Sequence, residues 1–186
     1  NPGSVMVTYA EIPASVAKAL GLDAHDSMGR IAVSLVGEVR QNLSKHGLVL
    51  CVPGGFAKDG EGSLAAAIRE FGAETGGPAD PEQWNSYEIA ANRNFDDLRN
   101  GCGNDVFVGG TVSFNDLMPT KVEDTNLARC ARDVRLWRHA NLRGTKGQPT
   151  FFVPPQDVLR ACPDALAYPA TIAAQSDWNK RRRVTT

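Results

Sequence analysis

Apolar positions recur along this chain at helical spacing in some stretches and run unbroken in others, and the predicted elements follow from that contrast. Met28, Ile31, Ala32, Leu35, Val39 and Leu43 share one helical face, with Asp26 as an N-cap and Gly47 as a stop. Trp84, Tyr87, Ala91, Phe95 and Leu98 repeat the pattern behind the start signal Asp80-Pro81-Glu82-Gln83, and Gly101 closes that helix. Shorter helices are predicted from Pro13 to Gly21, from Ser63 to Phe71 (Leu64, Ala67, Ile68 and Phe71 inward), from Gln156 to Ala161 and from Ala170 to Trp178.

A further helix is predicted between Asp124 and Gly144, with Leu127, Cys130, Val134 and Trp137 as its apolar stripe. Arg129, Arg132, Arg135 and Arg138 occupy its other side. Steps of three along a helix lag by about 60°, so these arginines sweep roughly half the circumference. Strand signals are sparser. They are the β-prone run Val5 to Tyr9, the core segment Leu48 to Val52, and the pieces 106–108 and 111–114 around Gly109-Gly110, which spell a hairpin. Pro149, Pro154, Pro155, Pro163 and Pro169 punctuate the C-terminal part.

The fold these elements predict is mainly α: four to five helices with minor short strands or a hairpin, and extended N- and C-terminal arms. The division is an arm over residues 1–12, a helical core over 13–147, and a proline-punctuated arm with a basic tail over 148–186.

Composition adds limits. A chain of 186 residues, 42 % hydrophobic and 22 % charged, can bury a real core and is not disordered throughout. No apolar run approaches the roughly 20 residues of a membrane-spanning helix. The four cysteines, Cys51, Cys102, Cys130 and Cys162, form no C-x-x-C pair, which argues against a zinc framework and for a reduced chain, intracellular or inside an assembled particle. Asn42-Leu43-Ser44 spells a glycosylation sequon, but within a predicted helix.

A formal net charge of −1 excludes indiscriminate coating of polyanions, and the distribution says more. Residues 58–101 hold nine acids against four bases, whereas residues 129–146 hold six bases against Asp133. The last of these bases, Arg143 and Lys146, extend the arginine face into a glycine-bearing loop. Arginine forks bind phosphates in pairs and stack on bases, and the KRRR run at 180–183 agrees in sign.

The function read from this pattern is a self-associating nucleic-acid-binding structural protein of the coat or nucleocapsid kind. It would grip RNA rather than DNA through Arg129, Arg132, Arg135, Arg138, Arg143 and Lys146, bridge copies of itself through its arms, and need no membrane, metal or cofactor. The bland alternative is a solvated face whose arginines pair with the acidic helix. Two readings from other classes stand beside it. One is a small hydrolase or transferase using Cys102, set in an Asn-Gly-Cys-Gly turn, with His25, His46 or His139 as base; the other is an effector-like interaction domain. The loop VPGGFAKDGEGS, between a strand and a helix, could cradle an anion. It fails both phosphate-loop spellings, and its acids would repel phosphate. Three isolated histidines offer no metal-binding pair.

Overall fold

A computed structural model of the chain describes residues 3–22, 30–39, 47–77, 88–89 and 104–185. Its centre is the segment expected to be an arm. Gly3–Glu11 forms strand β1, antiparallel to β2 (Ile31–Glu38) and β4 (Gly54–Phe56), and parallel to β6 (Asn104–Thr111). The further strands are β3 (Val49–Cys51), β5 (Glu88–Ile89), β7 (Leu117–Thr120), β8 (Leu136–Arg143) and β9 (Pro149–Val153). Together they make a nine-stranded mixed sheet in the order β5-β6-β1-β2-β9-β8-β7, with β3 on β2 and β4 on β1. The helices are α1 (Ala14–Ala19), α2 (Ser63–Thr75), α3 (Val158–Ala161) and α4 (Ala167–Thr185).

A strand buried on both faces needs apolar residues at consecutive positions rather than alternate ones. β1 and β2 meet that need. Val5, Val7 and Tyr9 pack with Ile31, Val33 and Leu35 against Ala170, Ala173, Ala174 and Trp178 of α4. On the opposite face Met6 and Phe107 receive Ala67 and Phe71 of α2, with Leu64 and Ile68 alongside. The architecture is a sheet between α2 on one side and α4 on the other, and the mainly α expectation is overturned. No helix among the described residues is long and apolar enough to cross a membrane.

Four expectations fail for identifiable reasons. Ile31, Ala32 and Leu35 fit a helical stripe, but Ile31-Ala32-Val33-Ser34-Leu35-Val36 is also a continuous strand core, and burial on two faces selects the strand. The arginine helix does not form. Residues 122–124 make a 3₁₀ turn, Arg129 has φ 60°, and β8 begins at Leu136. There the Asp157 carboxylate accepts from the Arg135 backbone N–H at 2.9 Å and from its Nε at 2.8 Å, so tertiary bonds replace the helical ladder.

The Gly109-Gly110 hairpin is instead a single strand, β6, with a register shift against β1 between Val7 and Tyr9 and Gly110 at φ 102°. The C-terminal arm is also absent: β9 sits between β2 and β8, and α4 carries the KRRR run. Tyr9 donates to Asp177 Oδ2 at 2.6 Å and Arg181 Nε to the same oxygen at 2.7 Å, while Arg182 lies 4.1 Å over the Trp178 ring. Of the helix expected over 80–101, only Glu88–Ile89 is described, and it pairs with β6 as a strand.

Candidate active site

The loop that sequence reasoning set aside, together with α2 behind it, brings four carboxylates and two tight glycines to one place. Gly54 lies so close to the backbone at Ser4 and Val5 that no side chain fits there, and a methyl group at Gly55 would stand 2.7 Å from Glu70 Cδ. Glycine is required here for closeness, since neither residue has a positive φ. Ser4 Oγ and Ser63 Oγ, 2.8 Å apart, fasten the start of α2 to β1.

Arg69 organises the loop. Its Nε and one terminal nitrogen donate to the two Glu61 oxygens at 2.9 Å each, a forked pair. The same terminal nitrogen reaches the Phe56 carbonyl at 3.2 Å, and the other donates to Glu70 Oε1 at 2.6 Å. Glu61 also accepts from the Lys58 backbone N–H at 3.0 Å. The Arg69 bonds first, and this N–H second, hold the Glu61 carboxyl down to about 2. One guanidinium thus ties the loop to the helix and fixes one oxygen of Glu70. The other Glu70 oxygen has no hydrogen-bond partner among the described residues.

Glu74, one turn beyond Glu70, is buried, and its Oε1 accepts from the Gly54 N–H at 3.1 Å. Burial, then a shared hydrogen bond and repulsion from Glu38 at the end of β2, push its carboxyl up to about 9, with a smaller push from Glu70. Without a cation beside it, Glu74 therefore keeps its proton at neutral pH. The turn after β8 closes the far end: Thr145 donates its N–H to the Ala73 carbonyl at 2.9 Å, and Gly76, at φ 73°, has no room for a side chain beside the Arg143 carbonyl.

An excess of buried carboxylate oxygens is the chemistry of a hard divalent cation. Among the described residues, no group of three His, Cys, Asp or Glu is arranged to hold a metal ion by itself. Glu74, with Glu38 and Glu70 near it, still fits Mg²⁺ or Mn²⁺, which take one or two protein carboxylates and fill the rest with water and phosphate oxygens.

The residues expected to bind nucleic acid do not form one rail. Arg129 sits in an exposed turn and Arg132 is exposed; Arg135 is bound on Asp157 and the Leu20 carbonyl, and Arg138 is half-buried in β8. Arg132 and Arg135 border an apolar hollow with Val16, Leu20 and Trp137. Arg143 and Lys146 lie apart from them, in the β8–β9 turn that docks on α2. Cys102, His25 and His46 lie outside the described residues, and His139 is buried in β8. The missed residues are Glu61, Arg69, Glu70 and Glu74. Their signal was two carboxylates four apart behind a glycine loop; only the loop's own acids, Asp59 and Glu61, entered the reading, as repelling phosphate.

A NUDIX domain is matched over residues 22–138, well over half of the chain. No curated protein matches the sequence. Among solved structures, a C. elegans Ap4A hydrolase in a binary complex is 11 % identical with a TM-score of 0.48, each chain covered over 98 %. A MutT protein from work on Aliivibrio salmonicida and Vibrio cholerae is 14 % identical with a TM-score of 0.46, over 92 % of this chain and 96 % of that one. The M. smegmatis Nudix hydrolase RenU is 18 % identical with a TM-score of 0.39, over 100 % and 85 %. With each TM-score below 0.5, family membership rests on the domain match. That match overturns the coat or nucleocapsid reading, and with it RNA and further copies of the chain as partners. The chain belongs to the NUDIX domain family.

Proposed function

We propose that this protein is a divalent-cation-dependent hydrolase that cleaves a pyrophosphate bond in a nucleotide derivative. The observation that carries the reading is the acidic cluster of Glu38, Glu70 and Glu74 against the Gly54-Gly55 backbone, with Glu74 pushed up to about 9 by burial and by Glu38. A carboxyl raised this far keeps its proton unless a cation takes the proton's place, and the polyanionic substrate supplies the remaining ligands. Glu74, with Glu38, would hold the cation. Once bound, the cation supplies neutralisation of phosphate oxygens and acidifies water.

The chain's own residues do the rest. Arg69 fixes Glu70 through Oε1, which leaves the second oxygen able to take a proton from water. That water's oxygen bonds to phosphorus as the bridging P–O bond breaks, and two phosphate-bearing products leave. The fork on Glu61 keeps the loop in place while charge shifts. Nucleotide derivatives are kept inside cells, and free thiols at Cys51, Cys130 and Cys162 suit the same compartment.

The test is phosphate release from a panel of nucleoside di- and triphosphate derivatives with Mg²⁺. Wild type is expected to turn over at least one, and chelation to abolish it. Glu70→Gln should lower kcat by about 10² to 10⁴, the usual worth of a positioned base, with KM nearly unchanged. Full activity in that variant, or activity surviving chelation, would refute the reading.

A further inference from the structure

The turn between β8 and β9 carries polar groups that nothing in the fold consumes. The Lys146 ammonium, the Arg143 guanidinium and the side-chain nitrogen of Gln148 have no hydrogen bond or ion pair among the described residues. The backbone that bears them is nevertheless tightly held. The Gly144 N–H donates to the Gln148 carbonyl and the Gly147 N–H to the Gly144 carbonyl, each at 2.9 Å, and Gln148 Oε1 accepts from the Lys146 N–H at 3.0 Å. Thr145 fastens the turn to α2 through the Ala73 carbonyl, with its N–H at 2.9 Å and its hydroxyl at 3.3 Å. A methyl group at Gly144 would collide with Gln148 Oε1 and with the Glu74 carbonyl. The turn therefore packs on the helical turn that carries Glu74, and its shape is set before any ligand arrives.

Register says which of these groups face the acids. β2 and β9 pair Val36 with Thr150, and continuing that antiparallel ladder by two residues sets Glu38 opposite Gln148. Arg143 pairs instead with Pro149, whose ring lies 3.2 Å from where a Gly37 methyl would stand. Gly37 and Glu38 alternate along β2, so Arg143 shares the turn but not the face. Gln148 and Lys146, joined through the Lys146 N–H, are the pair beside the cluster of Glu38, Glu70 and Glu74.

We propose that Lys146 and Gln148 receive the phosphate next to the one attacked, and that this phosphate is a free chain end. The substrates are then nucleotides ending in an unesterified phosphate, in preference to diphosphates esterified at both ends. The inference rests on the reading of the acidic cluster as the hydrolytic centre. A terminal phosphate carries about one more negative charge than an esterified one and offers one more unbridged oxygen. The acids repel that charge, so accepting it at this edge calls for a cation outside the cluster. Lys146 is such a cation, a compact charge on a long exposed stem, and the Gln148 amide adds two N–H donors. Residues 144–148 hold no apolar side chain on which an ester group could pack.

The test compares kcat/KM, with Mg²⁺, for the diphosphates of adenosine, guanosine, cytidine and uridine and for the same four carrying a methyl ester on the terminal phosphate. Wild type is expected to favour a free-ended compound by about tenfold or more. Lys146→Met should erase that preference through KM, leaving kcat and the rate on the methyl ester unchanged, and Lys146→Arg should restore it. Gln148→Glu, which keeps the acceptor for the Lys146 N–H and removes the donors, should shrink the same preference. Arg143→Met, which takes the same charge from the same turn, should leave it intact. Equal rates on both series, or equal losses in Lys146→Met and Arg143→Met, would overturn the proposal even with hydrolysis intact. Calorimetry of cation-free protein with inorganic pyrophosphate separates the two readings. Binding that Lys146→Met weakens and Arg143→Met does not, without hydrolysis of any diphosphate, would sustain the phosphate seat and defeat the active-site reading instead.

Discussion

At the scale of single residues, the site depends on close approaches that tolerate no extra atom. Gly55→Ala would place a methyl 2.7 Å from Glu70 Cδ and 2.9 Å from Oε1, so the carboxylate must move off its Arg69 bond. The expected outcome is a fall in kcat of about tenfold to a hundredfold, since small displacements of a catalytic group are costly, with far-ultraviolet circular dichroism unchanged. Arg69→Ala removes the fork on Glu61 and the bond to Glu70 together. Because Arg69 is about a third exposed, at 32 %, the loss of stability in denaturant titration should be small, while activity falls as for Glu70→Gln.

Glu74 gives a pH dependence of uncommon sign. Its carboxyl is raised from 4.5 to about 9 by burial and Glu38, so the folded chain holds this proton more tightly than the unfolded one. The stabilisation is complete below 4.5 and is lost as pH climbs toward 9. Thermal melts of cation-free protein should therefore show wild type losing ground to Glu74→Gln as pH rises, and added Mg²⁺ should restore wild type alone. A constant gap between the two across pH would exclude the buried acid pair. These residues were visible in the sequence, but their chemistry was not: Glu70 stood on a predicted helix and Glu74 just past its end, and only the fold shows that Glu38, more than thirty positions earlier, meets them.

At the scale of elements, legibility followed how many sides of a segment are buried. The α2 face was readable, because Leu64, Ala67, Ile68 and Phe71 meet one surface. β2 was not, since burial on both faces erases the alternation that identifies a strand and leaves spacing that also fits a helix; β1 was read as β-prone, and only its place as an arm was wrong. The 124–144 stretch misled because Asp157, distant in sequence, takes over the Arg135 N–H. On α4, the KRRR cations expected to reach outward are partly spent on the helix itself, through Asp177 and Trp178. Asp177 is 2 % exposed and serves both Tyr9 and Arg181. Asp177→Ala strands a buried phenol and a cation, and should cost about 3 kcal/mol in denaturant unfolding. Tyr9→Phe, which leaves the ion pair intact, should cost about 1 kcal/mol.

At the scale of the whole molecule, charge asymmetry was read correctly as arithmetic and wrongly as geometry. The bases of 129–146 scatter between exposed turns, an ion pair with the buried Asp157 and two positions in β8, so their local sum makes no continuous surface. The acids behave in the opposite way, since those on α2 converge with one from β2. A linear tally records neither outcome, because the topology that sorts the charges is set by pairings of high sequence separation, β1 with β6 and β2 with β9.

Those pairings also bear on how far the recognised stretch can be dissected. Residues 22–138 carry the family match, yet β1 precedes them and β9 follows, and each stands between two other strands in the sheet. Excising 22–138 would deliver a sheet missing two of its interior members, with β2 left only its short pairing with β3, β8 cut after Arg138 and β6 parted from β1. Such a fragment should precipitate or stay unfolded in solution. Supplying the flanking peptides in trans should rescue it only when both are present.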